Sequence, residues 1–393
     1  MFDLFMLGFS QILQPYPLVL IFVGTFVGII LGCIPGFTIT MGAALALPLT
    51  YGMHATNGLC VMIGVLVGGL AGGQISGILL GIPGTPSSLA TIFDGYPMAK
   101  NGKPGEALAI GTWSSFFGGL FSAIALMFFT PPLATFALKF GPWEFFSLVL
   151  FGLTIIASLA SESMLKGFIS GLIGLSAACV GTDPMTGIPR FSFGIPELTG
   201  GFSFLPILIG LFAFSQLMKN LEKGAGGPRA LIEDAKLNFS SKLVLKKIFS
   251  QPFNLIRSSF IGTFVGALPG AGASIACILS YDQAKKGSKQ PEAFGTGITE
   301  GVVASEAANN ATGGGGLTPT MALGVPGDAV TAIMMGALIL HGIQPGPLLI
   351  TEFPDLVYGI FAAFFVAHFF MLGSMLYGIK ILVKFTKIPV YLL

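Results

Sequence analysis

Stretches of roughly 20 apolar residues recur along this chain, and each is long enough to cross the hydrocarbon core of a bilayer. Hydrophobic residues make up 53% of the 393 residues and charged residues only 9%, whereas a soluble domain carries about 25% charged residues. A soluble fold of this length would need far more charge to cover its surface. The sequence therefore predicts an all-α polytopic membrane protein, with apolar segments at 17–50, 57–93, 107–129, 143–160, 164–182, 202–218, 258–281, 317–343 and 355–383.

Charge and motif content exclude several classes of function. The net charge of +2 gives no indication of a nucleic-acid partner. The 4 cysteines lie in apolar stretches without CxxC or zinc-ligand spacing, which predicts packing roles. The chain has no H-E-x-x-H, G-x-S-x-G or Walker A motif, so a zinc protease, a serine hydrolase and an ATP-driven pump find no support. Residues 1–17 contain no Lys or Arg, so a cleaved signal peptide is not expected.

Pro-Gly sequences interrupt several apolar segments, and their surroundings recur in two halves of the chain. Two five-residue patterns occur in the same order in each half: Gly-Thr-Phe-Val-Gly at 24–28 and 262–266, and Leu-Gly-(Ile/Val)-Pro-Gly at 80–84 and 323–327. The shared order predicts an internal duplication. We predict a first repeat with additional spans at 1–218, a basic linker with an interfacial helix at 219–257, and a second repeat at 258–393. The spans within 143–218 have no counterparts later in the chain, so the second repeat is expected to be incomplete at its C-terminus.

The positions of Lys and Arg predict how the two copies are oriented, since basic loops face the cytoplasm. In the first copy, the flanks of the first broken segment (1–16 and 51–56) have no Lys or Arg, and Lys100 and Lys103 follow the second broken segment. In the second copy, the first broken segment has basic residues on both flanks, and the loop 341–354 after the second has none. The reversed pattern predicts an inverted-topology repeat. The like flanks of each first broken segment predict re-entrant hairpins with Pro-Gly at the tip, and the stretch 239–260 predicts an interfacial amphipathic helix. We expect cytoplasmic loops at 100–103, 219–257 and 285–289, periplasmic loops at 51–56 and 341–354, and exceptions at Lys139 and Arg190.

Discontinuous helices at matching positions of inverted halves are typical of a binding site near the middle of the bilayer. The start of a half-helix has unpaired N–H groups and a partial positive charge that suit an anion. Small residues at the break let a ligand reach the backbone, although glycine-mediated helix packing would explain each break taken alone. Four breaks in two matched pairs favour a substrate site formed by Pro35, Gly36, Thr38, Gly84, Thr85, Ser87, Gly270, Ala271, Gly272, Ser274 and Gly327.

Polar residues of the second half predict a site for a coupling cation. The stretch Glu300–Gly316 contains Glu306, Asn309 and Asn310 between apolar segments, and such groups at membrane depth are costly unless they serve a function. A solvated loop is the alternative interpretation. Asp328 directly follows a helix break, where it could bind a cation, titrate, or cap the next half-helix. We take Asp328, Asn309 and Asn310 as candidates for cation coupling, with no cofactor and no metal beyond Na⁺ expected.

These motifs resemble the large membrane subunit of the tripartite tricarboxylate transporters, and the resemblance covers essentially the whole chain. It implies a cation-driven symporter that spans the bacterial inner membrane several times and works with a small membrane subunit and a periplasmic solute-binding protein. The family usually has Asn where Gly81 stands and often Ser where Asp328 stands, and its members are commonly longer. The matching stretches are Gly24–Pro48, Gly81–Gly84, Asp94–Pro97, Gly105–Ala107, Asp183–Arg190, Pro196–Leu198, Gly266–Ser280, Glu300–Ala311, Leu323–Gly327 and His341–Pro347.

The interpretation that the residues and the resemblance favour is a secondary transporter. It would import an organic di- or tricarboxylate with Na⁺ or H⁺, through an elevator-like shift of the hairpin domain. The alternative is a channel-like or scaffold subunit that docks a binding protein without coupled transport, although a channel should show a continuous polar lining. An intramembrane enzyme is a third class, but no catalytic constellation is present, so no enzymatic activity is expected.

Overall fold

The computed structural model describes residues 2–144, 146–147, 150–151, 163–183, 187–203, 206–207, 209–215, 218, 222 and 237–386. The helices before residue 200 are α1 (Phe2–Ile12), α2 (Pro15–Cys33), α3 (Ile39–Thr50), α4 (Ala55–Leu80), α5 (Leu89–Lys100), α6 (Pro104–Ala137) and α7 (Met164–Ala178). The later helices are α8 (Ser241–Phe249), α9 (Pro252–Ala267), α10 (Gly272–Gly287), α11 (Thr299–Leu323), α12 (Ala329–Leu340), α13 (Leu349–Glu352) and α14 (Pro354–Phe385). Two short strands, β1 (Gly181–Thr182) and β2 (Pro189–Arg190), pair antiparallel. Single helical turns occupy Pro86–Ser88, Pro196–Gly200, Ile209–Phe214 and Pro291–Ala293.

Four of the described helices, α2, α4, α6 and α14, are long and apolar enough to cross a membrane. Together with the helical character of the described chain, they confirm the predicted all-α membrane protein. Parts of the earlier predictions lie outside the described residues. These are most of the predicted span at 143–160, five residues of the span at 202–218, most of the linker between 219 and 236, and residues 387–393.

Each predicted interruption ends a helix in the structure. The helices α2, α4, α9 and α11 stop directly before the four Pro-Gly sequences, because a proline disfavours helical backbone at the residue before it. Gly81 and Gly324 close α4 and α11 with positive φ angles of 68° and 70°. This left-handed cap is one that glycine adopts without a steric cost. The two Leu-Gly-(Ile/Val)-Pro-Gly sequences therefore end their helices in the same way.

Glycines on α2 and α4 bring the backbones of these two helices into direct contact. A Cβ added at Gly24 or Gly28 would collide with the carbonyl oxygens of Val61 and Val65, and one at Gly68 would collide with that of Thr25. Close approach of this kind is how helices associate in a membrane, where burial of apolar surface gives little driving force. The recurring Gly-Thr-Phe-Val-Gly sequence therefore acts first as a helix-packing surface.

The second half repeats this packing between α9 and α11. A Cβ at Gly262 would meet the Ala308 carbonyl oxygen, and one at Gly266 would lie 2.7 Å from Thr312 Cα. The opposite face of α11 packs on α6, where Gly118 contacts the backbone of Ala307. As a result α11 is buried along almost its whole length, from 301 to 322.

One end of the helices gathers the loops that were predicted to be cytoplasmic. Asn101 Nδ2 donates to the Thr296 carbonyl oxygen at 3.2 Å, which joins the loop after α5 to the segment between α10 and α11. Lys247 on α8 forms an ion pair with Glu106 at the start of α6. Helix α8 is amphipathic but shorter than the predicted stretch 239–260, because Pro252 starts the new helix α9.

Other contacts show where the remaining helix ends lie. His341 Nε2, just after α12, lies 3.2 Å from the position that a Cβ on Gly58 of α4 would take. The ends of α9 and α10 also meet, since Arg257 Nη1 lies 2.8 Å from the Cβ position of Gly287. Helices α9 and α10 therefore form a hairpin with its tip at Pro269-Gly270.

Candidate functional site

In the first half, three glycines hold the end of α2 against the break after α4. A Cβ at Gly84 would collide with the carbonyl oxygen of Gly32 and would lie 2.9 Å from Gly73 Cα. The Gly84 N–H also donates to the Gly73 carbonyl oxygen at 3.3 Å. After α4 ends, the chain turns back so that α5 starts alongside the last turns of α4. Ser88, just before α5, packs against Gly73.

The second half builds the same kind of contact from Gly266, Gly316 and Gly327. A Cβ at Gly327 would lie 2.7 Å from Gly316 Cα and 2.8 Å from the Gly266 carbonyl oxygen. Here the hairpin tip itself takes part, because the Gly270 N–H donates to the Gly327 carbonyl oxygen at 2.9 Å. In each half the hairpin and the helix break are therefore joined through backbone that only glycine allows to approach so closely.

Short hydroxyl and carboxyl side chains occupy the starts of the helices that follow the breaks. Thr38 Oγ1 accepts from the Met41 N–H at 3.1 Å and caps α3. Asp328 caps α12, accepting from the Thr331 N–H at 2.8 Å in a capping box with that threonine. Thr85 stands where Asp328 stands in the other half, directly after Pro-Gly, and its hydroxyl lies 3.0 Å from the Ser88 hydroxyl.

The predicted substrate-site residues differ in their exposure. The hairpin tips are open: Gly36 is exposed, Gly270 is half-buried, and a Cβ on Gly272 would meet no atom within 4 Å. The residues at the breaks, by contrast, are buried. The half-buried members are Pro35, Thr38, Ala271 and Ser274, and the buried ones are Gly84, Thr85, Ser87 and Gly327.

Helices that start at the breaks pair across the two halves. Helix α5 and the turn Pro86–Ser88 pack against α10, and α3 packs against α12. The fold therefore brings each broken segment next to a hairpin of the other half. Asn309 and Asn310 lie elsewhere, within α11, where Asn309 Nδ2 donates to the Leu70 carbonyl oxygen at 2.9 Å.

The stretch Glu300–Gly316 lies inside α11 and is buried from 301 onward, so the alternative of a solvated loop is wrong. A helix forms here because alanines and short polar residues are compatible with it, and the four glycines serve close packing. The candidate residues omitted the most buried acid of this stretch. Glu306 is 0% exposed and accepts from the Thr91 hydroxyl at 2.5 Å and the Ser115 hydroxyl at 2.8 Å.

Gln74 is a second residue that the sequence reasoning missed. It is 0% exposed and lies in α4, in the middle of an apolar run. An amide at such a place in a membrane helix is the signal that could have drawn attention to it. Among the described residues, no group of three or more His, Cys, Asp or Glu side chains is arranged to hold a metal ion.

Comparison with known proteins agrees with these features. The model of the tripartite tricarboxylate transporter TctA family matches residues 18–393. An uncharacterized 52.8 kDa protein of the TAR-I ttuC' 3' region of Agrobacterium vitis is 38% identical over 383 residues, covering 98% of this chain and 76% of that protein. A protein of the TAR-II ttuC' 3' region of the same organism is 41% identical over 128 residues, covering 33% of this chain and 53% of that protein. No solved structure matches the chain. The chain therefore belongs to the TctA family of tripartite tricarboxylate transporters, a family of membrane transport proteins and not of enzymes.

Proposed function

We propose that this protein is the large membrane subunit of a secondary transporter that imports an organic di- or tricarboxylate with Na⁺ or H⁺. A periplasmic solute-binding protein would deliver the substrate, and a small membrane subunit would complete the transporter in the bacterial inner membrane. The observation that carries this proposal is the pair of joined breaks. In each half a hairpin and an interrupted helix meet through glycine backbone, next to the start of a helix.

We include in the proposal that the two halves are inverted copies. Both halves have the same order of elements: a broken hairpin, a long helix, a break, a short helix and another long helix. The two broken segments also run in opposite directions. The end of α5 lies beside the segment that leads into α11 (Asn101 to Thr296), whereas the end of α12 lies beside the start of α4 (His341 to Gly58). Helices α9 and α10, each of 16 residues, are short for a bilayer crossing, which favours a re-entrant hairpin.

The substrate site that we propose lies at the breaks and tips. Helix starts offer N–H groups and a partial positive charge to a carboxylate. The exposed Gly36 and the half-buried Gly272, where a Cβ would meet no atom within 4 Å, leave room for one. Hydroxyls of Thr85 and Ser87 at the first break would add donors. The full set of proposed substrate-binding residues is Pro35, Gly36, Thr38, Gly84, Thr85, Ser87, Gly270, Ala271, Gly272, Ser274 and Gly327.

Coupling to a cation is the second part of the proposal. Asp328 places a carboxylate at the second break, and Asn309 and Asn310 place amide oxygens inside α11. An anionic substrate would be repelled by the half-buried carboxylate of Asp328 unless a cation neutralised it. A bound Na⁺ or proton would therefore be a condition for tight binding of the carboxylate.

Uptake into proteoliposomes tests this function. The chain is reconstituted with its small membrane subunit, and a panel of labelled di- and tricarboxylates is added with a matched binding protein. We expect accumulation above the external concentration that requires an inward Na⁺ or H⁺ gradient and the binding protein. Ionophores that collapse the gradient should abolish it. Flux that only equilibrates the label would indicate a channel, and no flux of any carboxylate would leave a scaffold.

A further inference from the structure

Glu306 is a buried acid without a basic partner in the described structure. Its two carboxylate oxygens accept from hydroxyls of α5 and α6, Thr91 Oγ1 at 2.5 Å and Ser115 Oγ at 2.8 Å. The ion pairs among the described residues join Arg190 to Asp183, Lys247 to Glu106 and Lys286 to Asp282. None of them neutralises Glu306. A carboxylate that is fully out of water needs a compensating positive charge, because hydrogen bonds from neutral hydroxyls do not supply one.

Three side-chain amides close to Glu306 also lack partners. Both polar atoms of Gln74 and of Asn310, and the Oδ1 atom of Asn309, find no hydrogen-bond partner within the described part of the chain. All three residues are 0% exposed. Buried amides are almost always hydrogen-bonded. Three amide carbonyl oxygens without a donor in one region therefore point to a ligand that these oxygens coordinate.

These groups belong to one cluster where α4, α6 and α11 meet. Glu306, Asn309 and Asn310 follow the i, i+3, i+4 spacing that places side chains on one face of a helix. Gln74 Oε1 and Glu306 Cγ both reach the space above Gly111 of α6, Glu306 Cγ to within 3.4 Å of the Cβ position. We call Gln74, Glu306, Asn309 and Asn310 the Glu306 cluster.

The packing of the fold does not require these polar residues. Gly73 of α4 and Gly316 of α11 make the same glycine contact in their halves, so they place the two long helices in register. In that register Glu306, Asn309 and Asn310 correspond to Ile63, Leu66 and Val67, and Gln74 corresponds to Leu317. Apolar residues fill these places in the other copy. The polar residues of the Glu306 cluster therefore occur in one copy only, which is expected if they bind a ligand.

We propose that the Glu306 cluster binds Na⁺, and that it is a site for a coupling ion. One carboxylate and three amide oxygens are the ligands that a hard monovalent cation prefers. A proton on Glu306 would neutralise the acid but would leave three amide oxygens without partners. That the bound ion is a coupling ion rests on the proposed symport function. The binding of Na⁺ to the cluster does not depend on that function.

The position of the cluster connects the ion to the substrate site. Thr91, which donates to Glu306, lies in the first turn of α5, directly after the break at Pro86–Ser88. Filling the cluster with a cation would therefore act on the helix start that we propose for substrate binding. Of the titratable groups described on the surrounding helices, Asp94 of α5, Cys277 of α10 and His368 of α14 are also 0% exposed.

Thermal stability of the purified full-length chain in detergent tests the proposal without any carboxylate. NaCl is titrated against KCl and choline chloride at constant ionic strength, and the melting temperature is recorded at several pH values. We expect Na⁺ alone to raise the melting temperature of the wild type. Glu306→Gln should lose this response, and Gln74→Leu or Asn310→Val should weaken the apparent Na⁺ affinity by about 10- to 100-fold. Glu300→Gln, at the start of the same helix, should keep it.

Direct binding of ²²Na⁺ to the wild type keeps the proposal testable if Glu306→Gln fails to fold. Absence of saturable ²²Na⁺ binding would overturn it, as would an unchanged Na⁺ response in Glu306→Gln. A melting temperature that follows pH and ignores Na⁺ would also overturn it, in favour of a proton on Glu306. Na⁺ binding without carboxylate uptake would instead contradict the proposed function and leave this site standing.

Discussion

Gly36 and Gly270 hold the two hairpin tips at φ angles of 89° and 79°, in the left-handed region that other residues rarely adopt. Both lie at tips that are open enough for a ligand to reach the backbone. The same residue type thus provides a turn that no side chain would tolerate well and a surface without a Cβ in the way.

Replacing either tip glycine by leucine should abolish carboxylate uptake and leave membrane insertion largely intact. Leucine costs about 1–2 kcal/mol in left-handed backbone, and its side chain would block the approach of substrate to the tip. Gly102→Leu is the matched control, since Gly102 has a φ of 79° in the loop after α5 and a Cβ there would meet no atom within 4 Å. Uptake near the wild-type level in Gly36→Leu or Gly270→Leu would show that the tips do not form the site.

Substitutions can separate the capping role of Asp328 from its proposed role in cation coupling. Asparagine is as good an N-cap as aspartate, whereas alanine is not. We therefore expect Asp328→Asn to keep the stability of the fold and Asp328→Ala to lose about 1 kcal/mol, measured as the change in melting temperature. Uptake against Na⁺ concentration and pH then tests the coupling role. Weaker cation dependence in Asp328→Asn would support it, and unchanged curves would leave capping of α12 as the whole role of Asp328.

At the scale of elements, the breaks place each short helix beside the long helix that precedes it. Ile92 of α5 lies against Gly77, and Tyr96 lies 3.0 Å from the Cβ position of Gly81. The chain thus turns back at the break and then continues in the direction of α4, so that α4 and α5 together lead from His54 to Lys100. This geometry lets the backbone open within the protein, where irregular segments can be tolerated at membrane depth.

Cysteines at positions 54 and 286 should react with an impermeant thiol reagent from opposite sides of the membrane. Both residues are exposed, and the predicted inverted repeat places them at opposite ends of the helices. Cys179, the exposed native cysteine, is first replaced by serine. Lys103→Cys serves as the reference and should label from the side of position 286. Labelling of 54 and 286 from the same side would contradict the inverted arrangement.

At the scale of the whole molecule, Asp94 ties the first half to the second. Its carboxylate is 0% exposed and accepts from the Tyr281 hydroxyl at 2.8 Å. It also accepts from the N–H groups of Gly295, Gly297 and Ile298 at 2.8 to 3.0 Å. Hydrogen bonds to a charged group are the strong ones, so this single residue fixes the segment between α10 and α11 against α5.

Asp94→Ala should lower the stability of the protein by about 3 kcal/mol or more, because it leaves several buried donors without an acceptor. Asp94→Asn should lower it less, since one oxygen can still accept from the N–H groups. The control is Asp282→Ala, which breaks an exposed ion pair with Lys286 and should cost about 0.5 kcal/mol or less. Melting temperatures in detergent measure all three. Equal effects of Asp94→Ala and Asp282→Ala would show that Asp94 does not join the halves.

The sequence by itself determined the membrane class, the helix ends at the Pro-Gly sequences and the recurrence of the two five-residue patterns. These follow from hydropathy and from backbone chemistry that acts within a few residues, such as the left-handed caps at Gly81 and Gly324. The composition of a span is sufficient to predict burial in lipid. The sequence offered capping as one of several roles for Asp328, and its hydrogen bond with the Thr331 N–H now assigns the cap.

Only the tertiary structure decided which polar groups meet. Thr91 and Glu306 are 215 positions apart and form a hydrogen bond, and no local pattern relates them. Asn310 was a candidate from the sequence, but its missing hydrogen-bond partner can be recognised only when every neighbouring helix is in place. Gln74 likewise gained meaning from Gly111 of α6, which leaves the space that Gln74 Oε1 and Glu306 Cγ both approach. Charge compensation and hydrogen-bond satisfaction depend on distances of a few ångströms between helices, and those distances are properties of the packed fold.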